Sequence, residues 1–189
     1  MQAHLDTEKY LASLAASEPS FTYTAVRIGI YSESFPIYTA FFNPAAPLDE
    51  VKIPHDGSGP GIAWAKRDEL GEAMARLISQ YAAAPELFPY RNRTVLLSGP
   101  KVWSLSETMQ VLGKVAKKQV KLREVSVEEY AKQPQVQNGL SYGSGNYATI
   151  WADAFEAIKK GETAVVSPLL AQVLGREPES FEKTLEMMV

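Results

Sequence analysis

Cysteine is absent from all 189 residues, which excludes disulfides, thiolate nucleophiles and thiolate-bound metals. Histidine occurs only at His4 and His55, so a His-rich metal site is excluded as well. No apolar run approaches the roughly 20 residues that a membrane-spanning helix needs. The opening MQAHLDTEKY is polar and acidic rather than basic and then apolar, unlike a secretory signal. Neither sign of charge dominates: 19 Lys and Arg stand against 22 Asp and Glu, a net charge of -3, with no footprint for nucleic acid. The densest basic group, Lys114, Lys117, Lys118 and Lys121, falls at an expected helix end, where cations complement the helix dipole. These absences predict a cytoplasmic protein with neither nucleic acid nor membrane among its partners.

A hydrophobic content of 46% is ample for a packed core, at a length on the one-to-two-domain boundary. His4–Ala16 has apolar residues near helical spacing and ends before Pro19. Phe21–Ile30 is aromatic and β-branched with little polar alternation, as in a parallel strand buried on both faces. Glu50–Pro54 reads as a short strand entering the turn HDGSGPG. Ile62–Ala65 can pair nearby, and Lys66–Tyr81 is an amphipathic helix using Leu70, Met74, Leu77 and Ile78.

After a loop over Ala82–Arg93 come the strand Thr94–Ser98 and a helix opened by the capping box Ser104-x-x-Glu107. Val120–Val125 is a further strand, and Ser126-x-x-Glu129 caps a short helix. Gln133–Asn146 is the least regular stretch. Helices are expected over Tyr147–Lys160, near Pro168–Leu174, and from Pro178 onward. Alternating strands and helices predict an α/β fold, with a partial Rossmann-like parallel sheet and a smaller C-terminal lobe. In that reading residues 1–48 are the late βα part of the sheet domain. Residues 49–189 form the substrate lobe with some segments returning to the sheet.

A glycine-rich turn between a buried strand and a helix, the usual cradle for a dinucleotide, is missing. The two glycine-dense stretches, Gly57–Gly61 and Gly143–Gly145, read as turns, and Pro60 removes an amide donor from the first.

Four motifs together resemble the NmrA-like branch of the atypical short-chain dehydrogenases, closest to the type-2 quinone oxidoreductases. They are HLDTEKYL with YTAVRIGIYSES (His4–Leu11, Tyr23–Ser34), GPGIAWAKRDELGEAMARLI (Gly59–Ile78), VLLSGPKVWSLSE (Val95–Glu107) running on to SVEEY (Ser126–Tyr130), and LGREPESFEKTL (Leu174–Leu185). The resemblance implies an NAD(P)H-binding Rossmann domain with a smaller domain closing over the nicotinamide. Members carry a G-x-x-G-x-x-G turn after their first strand, and this chain has none. It therefore reads as the substrate-side half of such a protein, truncated and not catalytically competent alone.

Aligned by Glu8, His4 takes the lysine position of the family's Tyr-x-x-x-Lys pair, so the resemblance makes it a cofactor-side residue. Exposure near a frayed terminus is the competing reading. Gly29–Ser34 follows the expected strand at its carboxyl end, where ligands sit in open α/β sheets. By resemblance Gly29 and Tyr31 line the cofactor and Tyr31, Glu33 and Ser34 the substrate. Otherwise Tyr31 and Phe35 are core aromatics under the loop. Tyr142 and Asn146 can reach the substrate side. Trp64 and Trp103 read as packing residues, Arg67-Asp68 as helix-start electrostatics, and His55 as a residue of an exposed turn.

Three functions follow from the resemblance. One is an NAD(P)H-dependent oxidoreductase of quinone-like or carbonyl substrates, and the second is a non-catalytic redox-sensing regulator with a protein partner. The third is an incomplete product with no activity of its own, exposing a sheet edge that invites homodimerisation.

Overall fold

The computed structural model describes residues 2–188. In chain order it runs α1 (Gln2–Ser17), β1 (Thr24–Ile28), α2 (Phe35–Tyr38), β2 (Glu50–Ile53), α3 (Arg67–Ala83), β3 (Arg93–Leu97), α4 (Leu105–Val115) and β4 (Lys121–Glu124). There follow α5 (Val127–Ala131), α6 (Pro134–Gly139), β5 (Ser141–Tyr142), β6 (Gly145–Asn146), α7 (Ala148–Trp151), α8 (Asp153–Lys159), α9 (Leu169–Leu174) and α10 (Phe181–Glu186). Single 3-10 turns occupy Ser32–Ser34 and Pro85–Leu87.

Two parallel strand pairs organise the chain. β1 pairs β3 with Val26 opposite Val95, and β2 pairs β4 with Val51 opposite Leu122. Both pairs need a crossover, and α3 and α4 supply the helical segments between their strands. Alternation along β1 sends Arg27 toward α1, where its guanidinium grips Glu8 at 2.8 and 2.7 Å. Val26, on the opposite face, packs against a cluster built from Leu70, Leu77, Leu97, Leu170 and Leu174 of α3, β3 and α9. A larger core gathers Phe42, Ile53, Trp64, Leu105, Leu112, Tyr130, Phe155 and Phe181.

Several local expectations are corrected. β1 is not buried on both faces: Arg27 and Ile28 are exposed and its remaining residues are half-buried. Among the described residues its only full strand partner is β3, so one edge stays open, and α1 buries none of its side chains. Ile78 faces water, and Ala73 takes its place on the buried side of α3. The region expected as one helix over Tyr147–Lys160 is divided at Ala152 into α7 and α8. The last helix starts after Ser180, whose hydroxyl accepts the Lys183 amide, rather than at Pro178. Gln133–Asn146 is ordered as α6 and the β5–β6 hairpin.

The segment 62–65 joins the pieces. Ile62 and Trp103 exchange backbone hydrogen bonds at 2.8 and 2.9 Å, and Ala65 donates to the Ile30 carbonyl at 3.0 Å. Gly61 makes this approach feasible: its φ is +77°, and a Cβ there would sit 1.9 Å from the Trp103 carbonyl oxygen. Gly61→Ala is therefore expected to cost about 3 kcal/mol or more through forced backbone strain and overpacking. Chemical denaturation checks it, and a midpoint equal to that of the parent protein would show that the 61–103 contact yields freely.

Candidate functional site

The carboxyl ends of β1 and β3 meet at a compact loop. Gly29 donates to the Leu97 carbonyl at 2.7 Å, and a Cβ at Gly29 would lie 2.9 Å from that oxygen, so only glycine lets the strands close here. The chain then turns through Tyr31, 38% exposed, into the 3-10 turn Ser32–Ser34. Ser32 is buried with no hydrogen-bond partner for its hydroxyl, and its amide donates to Ala65 at 2.8 Å. Glu33 turns across to α3, where both carboxylate oxygens accept the Arg67 amide at 3.1 and 3.2 Å. That contact places a carboxylate at the positive end of a 17-residue helix and ties the loop to it. On the β3 side, the buried Ser98 hydroxyl accepts the Ser167 amide at 2.9 Å, anchoring the approach to α9.

Of the expected site residues, the fold brings Gly29, Tyr31, Glu33 and Ser34 together at this sheet end. Tyr31 is partly exposed, Ser34 is half-buried, and Glu33 is already engaged. Phe35 is buried, so the core role considered for the aromatics belongs to Phe35 alone. His4 lies exposed in the first turn of α1, and Tyr142 is 84% exposed on the β5–β6 hairpin. Among the described residues no hydrogen bond joins either of them to Gly29–Ser34. Asn146 serves the hairpin base, donating to Gln137 Oε1 at 2.8 Å.

Trp64 and Trp103 pack as expected. Trp64 stacks on Phe181 with ring centroids 5.1 Å apart, and its indole N–H donates to Thr108 Oγ1 at 3.2 Å. Lys101 lies over the Trp103 ring, 3.7 Å from its centroid.

One polar network was not anticipated. Glu69, nearly buried, takes a charge-assisted hydrogen bond from Arg176 and a second bond from the Glu179 amide at 2.8 Å. Arg176 also reaches Glu72 at 2.7 Å, and Lys66 pairs with Glu179 at 2.9 Å. Burial pushes the Glu179 carboxyl upward, but hydrogen bonds from Lys66 and Thr184 outweigh it and hold the group below its ordinary value. The network docks the Leu174–Leu185 segment onto α3 beside the loop at Glu33. Glu69 and Arg176 fall in two separate motifs of the chain, Gly59–Ile78 and Leu174–Leu185, and no local pattern in either reveals the pairing. Glu69→Ala strands the Glu179 amide and the Arg176 charge, and is expected to lower stability by about 1–3 kcal/mol. Urea unfolding tests this; a change within about 0.5 kcal/mol, the range of ordinary surface substitutions, would remove the docking role.

A dinucleotide pyrophosphate needs backbone amides presented by a free helix N-terminus. Four helix starts are each capped by one of the chain's own side-chain contacts: Glu33 at α3, Ser104 with Glu107 at α4, Ser126 at α5, and Ser180 at α10. The turn Gly57–Gly61 spends its Gly57 amide on His55 Nδ1 and its Gly61 carbonyl on Thr163. Neither that turn nor these four capped helix starts fits the pyrophosphate of NAD or NADP.

Parallel strand pairs with helical crossovers and a loop at their carboxyl end define a Rossmann-like α/β fold. The chain is a homologue of an NmrA-like oxidoreductase. It is 31% identical over 177 residues to the NmrA-like family domain-containing oxidoreductase flvB of Aspergillus flavus, covering 94% of this chain and 52% of that protein. Prestalk A differentiation protein A of Dictyostelium discoideum is 21% identical over 162 residues, 86% of this chain and 49% of that protein. The chain thus spans about half the length of the curated relatives it matches. No protein-family model matches it.

Among solved structures, the NADPH-dependent quinone oxidoreductase QOR2 of Escherichia coli superposes with a TM-score of 0.71 at 24% identity. That match covers 99% of this chain and 60% of QOR2. Triphenylmethane reductase of Citrobacter sp. gives 0.66 at 23% identity, over 93% of this chain and 55% of that one. Both enzymes share the fold. QOR2 has been solved with NADPH and triphenylmethane reductase with NADP(H). Among the described residues no helix is long and apolar enough to cross a membrane, and no group of His, Asp and Glu is arranged to hold a metal ion.

Proposed function

We propose that these 189 residues supply the substrate-side part of an NAD(P)H-dependent oxidoreductase acting on a quinone-like or other carbonyl compound. The observation that carries this reading is the loop Gly29–Ser34, held rigidly at the carboxyl end of a parallel strand pair. Tyr31 offers a flat face and a hydroxyl to an aromatic or carbonyl substrate, and Ser34 a second hydroxyl. Glu33 acts by holding the loop on α3. His4 and Tyr142 remain cofactor-side and substrate-side candidates, with residues 49–189 forming the substrate lobe. By themselves the residues lack a pyrophosphate cradle, so turnover requires a dinucleotide-binding half from elsewhere.

The test is NADPH oxidation with a simple benzoquinone, for the chain alone and joined behind a dinucleotide-binding half such as that of QOR2. Activity only in the joined protein, with KM for the quinone raised several-fold by Tyr31→Ala, supports the reading. No activity in a folded, NADPH-binding fusion would discard it.

A non-catalytic regulator with a protein partner is the second reading. One observation favours it: Glu33, the acidic side chain of the loop, is spent on the Arg67 amide, leaving no paired acid and base there.

A further inference from the structure

The HDGSGPG turn was expected to be exposed and its histidine ordinary. His55 is instead 1% exposed. Its Nδ1 accepts the Gly57 amide at 2.9 Å, which places the ring proton on Nε2, and Nε2 is buried without a partner. The Gly57 carbonyl in turn accepts the Ser106 amide at 2.9 Å in the first turn of α4. One imidazole lone pair thus holds a turn that links β2 to α4 and leads into the segment 62–65, which is paired with both Trp103 and Ile30.

We infer that His55 is a proton-operated latch. Neutral, it accepts the Gly57 amide and keeps the turn closed; protonated at Nδ1, it faces that amide with a second donor and must release it. A receiver for the new proton is at hand, because Asp56 Oδ1 lies 3.4 Å from Nδ1. Asp56 is already engaged with the amide and hydroxyl of Ser58 at 2.8 Å, so the exchange draws on the whole turn.

The charged groups facing the ring come from three elements: Asp56 of the turn, Glu124 at the end of β4, and Glu156 and Lys159 of α8. Asp56, Glu124 and Lys159 border, with His55, a depression of about 300 Å³. Burial lowers the imidazole below its ordinary value. Asp56 opposes that, Lys159 adds to it, and Glu124 and Glu156 oppose it. With the folded value below the unfolded one, stability is complete above the ordinary imidazole range. It falls as pH drops through about 6.5 toward the lower folded value, then levels off.

Proton NMR on the full chain tests this directly, because His4 is the only other histidine and His4→Asn assigns the two titrations. The expected result is a His55 midpoint below 6.5 with the Gly57 amide resonance moving at the same midpoint. His55→Asn keeps an acceptor for the residue-57 amide in the manner of an Asx turn but does not titrate. In the His4→Asn background, Tm is expected to fall by about 3 °C between pH 7.5 and 5, and adding His55→Asn should flatten that fall. A His55 midpoint at or above 6.5, a Gly57 amide indifferent to it, or an unchanged pH slope in the double variant would overturn the latch. Should the variant not fold, the two NMR midpoints of the histidine-bearing protein decide alone.

Discussion

Titrated with NADPH, the 189-residue protein is expected to show no saturation at micromolar cofactor, with any dissociation constant near or above about 1 mM. Tight binding near 1 μM corresponds to about -8 kcal/mol, and 1 mM to about -4 kcal/mol. Much of the difference comes from pyrophosphate held against free amides by a glycine-rich turn at a helix N-terminus. The sequence carries no such turn between strand and helix, and Glu33, Ser104, Ser126 and Ser180 cap four of the helix starts. Calorimetry or quenching of the buried tryptophans reads the result. Micromolar affinity would mean that another surface substitutes for the glycine turn, and the chain would then be competent by itself. Glu33→Gln sharpens the test: it removes the carboxylate at the start of α3 and should leave NADPH binding just as weak.

The second expected result is self-association of the isolated protein, with a low Tm that rises by at least 10 °C when a complementary sheet half is joined to it. β1 has one full strand partner among the described residues, and Ile28, Leu5 and Tyr10 are exposed on or near it. α1 is held by the Glu8–Arg27 pair and half-buried leucines rather than by any buried side chain. A face of roughly 300 Å² left in water forgoes about 7.5 kcal/mol at about 25 cal/mol per Å², comparable with the whole stability of a typical domain. An open edge also offers unpaired amides and carbonyls to another chain. Ile28→Lys should weaken that association at little cost to the monomer, because the side chain already meets solvent. Light scattering and thermal unfolding check both parts. A monomer with a sharp transition above 70 °C would show that the exposed edge carries no penalty.

The sequence by itself determined the local architecture. The apolar run over Phe21–Ile30 pointed to a parallel strand, and β1 does pair in parallel, with β3, although it is not buried on both faces. The capping box at Ser104 is reciprocal as written, because its signal lies within four consecutive residues. At Ser126 only half of the box forms. Glu129 pairs across space with Arg123 at 2.7 Å, a competitor that no local pattern reveals.

What only the tertiary structure decided depends on residues far apart in sequence. Glu69 and Arg176 are 107 positions apart, and their meeting requires α9 to return against α3. His55 reads as an exposed turn residue because its neighbours are glycine, serine and aspartate. It is buried because β4 and α8 close over the turn from beyond residue 120. Glu33 reads as a free carboxylate in a ligand loop until α3 is placed with its first amide beside it. Periodicity and caps are short-range and survive in the sequence. Burial and polar partnership are set by which elements fold back on one another, and at these positions that determined the chemistry.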